Sequence, residues 1–269
     1  MSFWCSAQTA AWDWTWRPYV GIWLFVGLIA GTYIMHVRGL ARRGELSGRG
    51  ARKQHYVWFG LGVLALWAGL DWPLGTLGAG YLMSVHIVQF LLVGMIAPAL
   101  MLLGVPHASY VGLERHPGLR KWIRELSSPL VALVIFNLGI SITHWPTVVD
   151  YLMATQLGAM TSDLLWVTFG LIFWWPVIAP IPERPRFSPL AKILYLAVNI
   201  VLVRPPVLIM LFAEHPVYAT YELAPPIRGI FALEDQQFAG GIMKIGSSWI
   251  MMVGISIVLY RWWKVEREV

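Results

Sequence analysis

The stretch Tyr81–Leu103, YLMSVHIVQFLLVGMIAPALMLL, decides how this chain is built. It runs 23 residues (81–103) with no Asp, Glu, Lys or Arg. A bilayer core about 30 Å thick is crossed by about 20 apolar residues in a helix. A helix is expected because it satisfies its own backbone polar groups in lipid. The run also has none of the alternation of a lipid-facing barrel strand. Working outward, six more apolar stretches have the same character: Tyr19–His36, Tyr56–Leu70, Leu130–Ile142, Leu164–Ile181, Ala191–Phe212 and Gly240–Tyr260. The second and fourth spans in chain order, Tyr56–Leu70 and Leu130–Ile142, are short and reach spanning length only if Asp71–Pro73 and Ser141–Pro146 extend them as helix. The chain is 58% hydrophobic and 13% charged with a mean hydropathy of +0.62, whereas soluble domains are about 25% charged. The expected fold is all-α and polytopic, with seven transmembrane helices forming a single integral membrane domain over residues 1–269.

Charge then sets the orientation. Basic residues follow alternate spans: Arg38, Arg42, Arg43, Arg49, Arg52 and Lys53; Arg115, Arg120, Lys121 and Arg124; Arg184, Arg186 and Lys192; Arg261, Lys264 and Arg267. The other loops hold Arg17 and Arg228 among Asp13, Asp71, Asp150, Glu214, Glu222, Glu234 and Asp235. The positive-inside rule puts the N-terminus outside and the C-terminus in the cytoplasm of a bacterial inner (plasma) membrane. The net charge of +6 is read as topology and attraction to anionic lipid rather than to nucleic acid. Met1–Pro18 has no basic n-region of a cleavable signal; its Trp4, Trp12, Trp14 and Trp16 suit an outer interfacial belt, as Trp262 and Trp263 suit an inner one. Gly39–Gln54 is expected to be a mobile cytoplasmic loop, and Val148–Thr161 to lie along the outer interface. The single Cys5 makes no intrachain disulfide.

With the ends assigned, polar residues collect near the outer side. His86 and Gln89 lie in the outer half of the third span, with Met83 one turn before His86. His144-Trp145-Pro146 ends the fourth span and Asp163 opens the fifth. Arg204-Pro205-Pro206 lies in the outer half of the sixth, with His215 beyond it. Asp235-Gln236-Gln237 precedes the seventh, whose first turns carry Met243 and Lys244. Asn137 and Asn199 lie deeper. Such residues are costly in lipid and usually face a partner or a cavity, although His86 and Gln89 equally suit ordinary hydrogen bonds between helices. Arg204 needs an anion, and Asp163 is the first expectation for it, Asp235 the second. Pro205 and Pro206 should kink the sixth span. Imidazole and thioether groups suit Cu(I), so His86, Met83, His144, Asp163 and Met243 are the candidate metal ligands. Gln89, Arg204, Asp235, Gln236, Gln237 and Lys244 form the accompanying polar site. The sequence contains no zinc-type cysteine cluster, Gly-rich phosphate loop or nucleophile elbow. A haem site would want two axial histidines facing each other, and His86 is the only one well inside a span. No enzymatic role is expected. A small transporter or channel for a metal ion or solute, and a structural subunit of a respiratory complex, remain open.

Several ordered motifs resemble the CtaG family of cytochrome c oxidase assembly factors. They are Tyr81 to Gln89 leading into Ala97-Pro98 and Leu103-Gly104-Val105-Pro106, then His144-Trp145-Pro146 with Asp150-Tyr151. Gly170 to Pro176 with Trp174-Trp175 follows, and Asp235-Gln236-Gln237 with Gly240-Gly241-Ile242-Met243 and Arg261-Trp262 completes the set. The resemblance implies seven spans and a role in maturing haem–copper oxidases at the copper-insertion stage. Its partners would be cytochrome c oxidase subunits or other copper chaperones, within the lipid bilayer. The chain departs from the family pattern at Phe90, Ala159 and Asp163, which occupy apparent family histidine positions, and at Trp145, which separates His144 from Pro146. The resemblance thus leaves two forms open: a copper site remodelled around His86, Met83, Asp163 and Met243, or a scaffold without copper.

Overall fold

The computed structural model describes residues 2–46, 49–114, 118, 121, 125–126, 128–179, 187–202, 204–227 and 229–267. Of the basic positions that set the orientation, Arg115, Arg120, Arg124, Arg184, Arg186 and Arg228 lie outside them, as does Ile181 at the end of the expected fifth span. Among the described residues every regular element is a helix, with one isolated bridge between Ser2 and Tyr19. In chain order the helices are α1 (Val20–Arg42), α2 (Arg49–Leu70), α3 (Leu74–Gly80), α4 (Met83–Gly104), α5 (His107–Glu114), α6 (Pro129–Thr143), α7 (Pro146–Met153), α8 (Gln156–Ile178), α9 (Pro189–Val201), α10 (Pro205–Phe212), α11 (Ala219–Glu222) and α12 (Ala232–Arg267).

Five segments are long and apolar enough to cross a membrane: α1, α4, α8, α9 continued by α10, and α12. The pairs α2–α3, bent by 45°, and α6–α7, bent by 69°, bring the total to seven if each is one span. The two shorter spans are therefore the two broken ones, and proline sets the break between α6 and α7. Pro146 disfavours the helical region for the residue before it, so Trp145 is extended at φ −69°, ψ 134° and α6 stops. Pro205 acts likewise on Arg204, at φ −77°, ψ 137°, and divides α9 from α10. In α4, Pro98 has no N–H to offer Gly94, and the turn before it, Leu91–Ile96, widens into a π-helix.

Helix α4 is the axis of the bundle, packed by α2, α3, α8 and α12. In its apolar window 61% of residues are buried, against 22% for α1 and 17% for α12 on the outside. Its contact with α8 is close: a Cβ on Gly170 would stand 2.0 Å from the Gly94 carbonyl oxygen. The π turn leaves the Met95 carbonyl to the side, where the Trp174 indole donates to it at 2.9 Å. Leu24, Leu138, Leu194 and Trp249 point outward with roughly 60% of their surface exposed. Apolar side chains over whole helical flanks suit lipid, not water.

Several expectations change. Helix α1 continues to Arg42 and α2 begins at Arg49, so Gly39–Gln54 is mostly helix rather than a mobile loop. That end, and not Asp71–Pro73, lengthens the second span. Helix α12 has 36 residues, so Asp235–Gln237 lie in its first turns instead of preceding it. Trp4 is not at an interface. The N-terminal segment folds across one end of the bundle, its Phe3 and Trp4 amides donating to Gln156 Oε1 and its Ala7 amide to the Met153 carbonyl, and Trp4 is 2% exposed.

Candidate functional site

The first turn of α4 is fixed from outside itself. Leu82 precedes it with no capping side chain, and Asp235 of α12 supplies the missing acceptor. Its carboxylate takes the Ser84 amide at 3.2 Å and a short hydrogen bond from the Ser84 hydroxyl. A carboxylate there also opposes the positive end of the helix dipole. His86 follows one residue after this anchored turn. Behind it, α3 comes so near that a Cβ on Gly78 would lie 3.1 Å from the His86 backbone.

His144 arrives from the break between α6 and α7. It ends α6 as its C-terminal cap, and its backbone carbonyl accepts the Tyr218 hydroxyl at 2.8 Å. The His86 and His144 rings stand edge to face with centroids 5.5 Å apart. Trp166 stacks on His144 at 5.2 Å and meets His86 edge-on at 5.0 Å. Phe90 at 4.8 Å from His144 and Tyr221 at 5.8 Å from His86 close the box. Both imidazoles are sealed, at 1% and 0% exposure.

Hydrogen bonding within the box is incomplete. His144 Nδ1 lies 3.0 Å from the Ile140 carbonyl. A carbonyl only accepts, so Nδ1 carries the proton and Nε2 keeps its lone pair. That Nε2 has no partner, nor has either nitrogen of His86. The Gly78 carbonyl accepts the Tyr221 hydroxyl at 2.8 Å and, having a second lone pair, is also the nearest acceptor for a proton on His86. Each ring thus keeps an imidazole nitrogen without a hydrogen-bond partner in an aromatic enclosure. An imidazole whose far N–H is held by a backbone carbonyl is oriented as metal-binding histidines usually are.

The other candidates fall in different places. Met83 and Met243 are fully buried in the main core cluster of the bundle, on the packed helices α4 and α12. Asp163 is diverted: it accepts the Trp4 indole at 2.7 Å and the Gln89 amide at 3.1 Å. No three His, Cys, Asp or Glu among the described residues converge as a metal site. The expected ion pair between Arg204 and Asp163 does not form. Arg204 donates to Asn199 Oδ1 at 3.3 Å and lies 5.4 Å over the Phe136 ring. Asn137 donates to the same oxygen at 3.0 Å. Asp235 is bound to Ser84, so it does not serve Arg204 either. Gln236 accepts the Val217 amide at 2.8 Å, and Gln237 donates to the Ala213 carbonyl at 3.2 Å. Lys244 donates to the Ile200 carbonyl at 2.6 Å, beside the break that Pro205 makes in the sixth span. These four side chains stitch helix ends together, and His215 is exposed outside the box. Residues that single-position reading missed are Trp4, Trp166, Tyr218 and Tyr221. The spacing of Asp163 and Trp166, and of Tyr218 and Tyr221, at i and i+3 was the available signal.

An all-helical bundle with five to seven candidate spans is compatible with a multi-pass membrane protein, and a sealed imidazole pair lies at one end of it. The family described as cytochrome c oxidase caa3 assembly factor (CtaG) matches residues 31–265, and this chain belongs to it. The chain is also 25% identical over 191 residues to an uncharacterized protein, ML1998, of Mycobacterium leprae (strain TN). That match covers 64% of this chain and only 29% of the relative's length. No solved structure matches the chain.

Proposed function

We propose that this protein assists maturation of a haem–copper cytochrome c oxidase by holding Cu(I) as cargo for the copper centre, at the outer face of the bacterial plasma membrane, without itself being an enzyme. One observation carries the copper part: the unpartnered nitrogens of His86 and His144. Leaving a buried polar group unsatisfied costs about 1–3 kcal/mol. A soft monovalent cation would remove that cost at both rings. His86 and His144 would supply imidazole nitrogen; Met83, one turn before His86, and Met243 are the thioethers proposed beside them, both in the main buried core with four other methionines. Phe90, where the family pattern has a histidine, presents an edge to His144 and helps keep water out. The residues therefore fit a site of two imidazoles better than one built on Asp163, whose oxygens are already committed. The family supports the oxidase part. The transporter reading finds less support, since the deeper Asn137 and Asn199 bond to each other.

The cellular test uses a deletion strain at limiting copper. Active haem–copper oxidase should fall while oxidase transcript is unchanged. His86→Gln should reproduce the loss while the protein still accumulates in the membrane. Full oxidase activity in the deletion strain would contradict the assembly role; full activity with His86→Gln would contradict ligation alone.

A further inference from the structure

Arg204 sits in the break between α9 and α10, 4% exposed, and no carboxylate pairs with it. The ion pairs among the described residues are Arg17–Asp13 and Arg43–Glu45. Three acidic side chains are outside that set: Glu114, Glu183 and Glu268. In sequence they follow the ends of α4, α8 and α12 that meet the start of α9. The 13 residues of α9 put about 20 Å between that start and Arg204. The contacts of Arg204 are an amide and a ring: it donates to Asn199 Oδ1 at 3.3 Å and lies 5.4 Å over Phe136. Its Nε has no acceptor, and neither has the Asn199 amide nitrogen. An aspartate at 199 would replace that idle nitrogen with a carboxylate oxygen and complete an ion pair. Asparagine holds the guanidinium and leaves its charge standing. Lys244, which donates to the Ile200 carbonyl, adds a second cation nearby.

That charge reaches the histidine pair. Phe136, under the guanidinium, and His144 are eight residues apart along α6, about 12 Å at 1.5 Å per residue. His144 is within the electrostatic reach of Arg204. The carboxylates near the pair lie on the other side, where Asp235 at Ser84 and Asp163 at Gln89 flank His86 along α4. A cation held by the two rings therefore meets repulsion from the His144 side, in proportion to its charge. At an effective dielectric constant of about 20 and a separation of about 12 Å, the repulsion weakens binding about tenfold per unit charge. Zn(II) also suits imidazole, and it loses about a hundredfold where Cu(I) loses about tenfold.

We propose that Arg204 is a specificity-determining residue of the histidine pair: its unpaired charge, held in place by Asn199, selects a monovalent over a divalent cation. The inference rests on the copper reading above and adds what the pair excludes. Arg204 touches neither ring and acts through its field.

The test is competition of the purified full chain against chelators of known affinity, for Cu(I) under reducing conditions and for Zn(II) separately. Arg204→Gln should raise the ratio of Zn(II) to Cu(I) affinity about tenfold. Arg204→Lys keeps the charge and should leave the ratio unchanged. Asn199→Asp neutralises the charge with the guanidinium still present and should give the same rise, so the test stands if Arg204→Gln fails to fold. An unchanged ratio in Asn199→Asp would overturn the proposal, as would an equal rise in Arg204→Lys. His86→Ala with His144→Ala separates the two readings. Both metals bound as before in that variant would contradict the copper site and this inference with it. Loss of both metals there, with a flat ratio in Asn199→Asp, would contradict the selectivity alone.

Discussion

Asp163 is where the structure departs most from simple charge pairing, and a double-mutant cycle tests that departure. Its carboxyl accepts the Trp4 indole at 2.7 Å and the Gln89 amide at 3.1 Å, and all three residues are buried. Asp163→Leu strands both donors. Hydrogen bonds between membrane helices average about 0.6 kcal/mol and reach about 1.7, while bonds to charged groups reach about 3. The two together place the loss for Asp163→Leu on the order of 2–4 kcal/mol. That is a large fraction of a folding stability of about 5–15 kcal/mol. Trp4→Phe keeps the ring and removes the donor. Combined with Asp163→Leu it should therefore cost less than the two changes summed, by about 1–2 kcal/mol. Arg204 bonds to Asn199 instead. Arg204→Leu with Asp163→Leu should add to within about 0.5 kcal/mol. Reversible unfolding of the purified protein in mixed micelles measures all four corners of each cycle. Strong coupling of Asp163 to Arg204, with none to Trp4, would refute this description of the buried end.

Other changes bear on different contacts. Asp235→Ala removes the acceptor at the start of α4 and should cost about 0.5–2 kcal/mol, the range for a helix cap; unfolding in the same micelles measures it, with Glu234→Ala as a neighbouring control. Gly170→Ala places a methyl 2.0 Å from the Gly94 carbonyl, so α8 must move off α4, and the overpacking should cost about 1–3 kcal/mol, read as a lower folded yield in membranes. For topology, an impermeant maleimide applied to intact cells should label a cysteine at Ala219 and leave one at Glu45 unlabelled. Native Cys5 is 1% exposed and should give little background.

Helix positions were legible because an apolar run long enough to cross a bilayer admits few alternatives. Proline placement foretold one break: Pro205 divides the sixth span where a kink was expected. Pro146 was expected within a helical extension, Ser141–Pro146, but the residue before it is forced extended and α6 ends at Thr143. Helix ends were less legible. Polar residues such as Lys53, and Asp235 at the other side of the chain, belong to helix because the bundle extends past its apolar core. In the candidate site, His86 stood out as an imidazole inside a span. Its neighbour His144 was visible as a residue type, but its contact with His86 depends on a 69° turn that only tertiary packing sets. The partners of Asp163 and Arg204 were misread for one reason. Opposite charges in one depth zone suggest a pair, yet neutral donors and acceptors were nearer: the Trp4 indole came from a segment expected at an interface, and Asn199 lies five residues before Arg204, across the extended break that Pro205 makes. Tyr218 and Tyr221 showed only their i, i+3 spacing, because the backbone carbonyls that their hydroxyls hold carry no signal in sequence.

The most direct measurement is X-ray absorption at the copper edge on the full chain loaded with one equivalent of Cu(I) under reducing conditions. The account predicts scattering from two imidazole ligands, with His86→Ala and His144→Ala each removing one and the double variant leaving no bound copper in a competition titration. Copper bound with unchanged stoichiometry and spectrum in the double variant would contradict it.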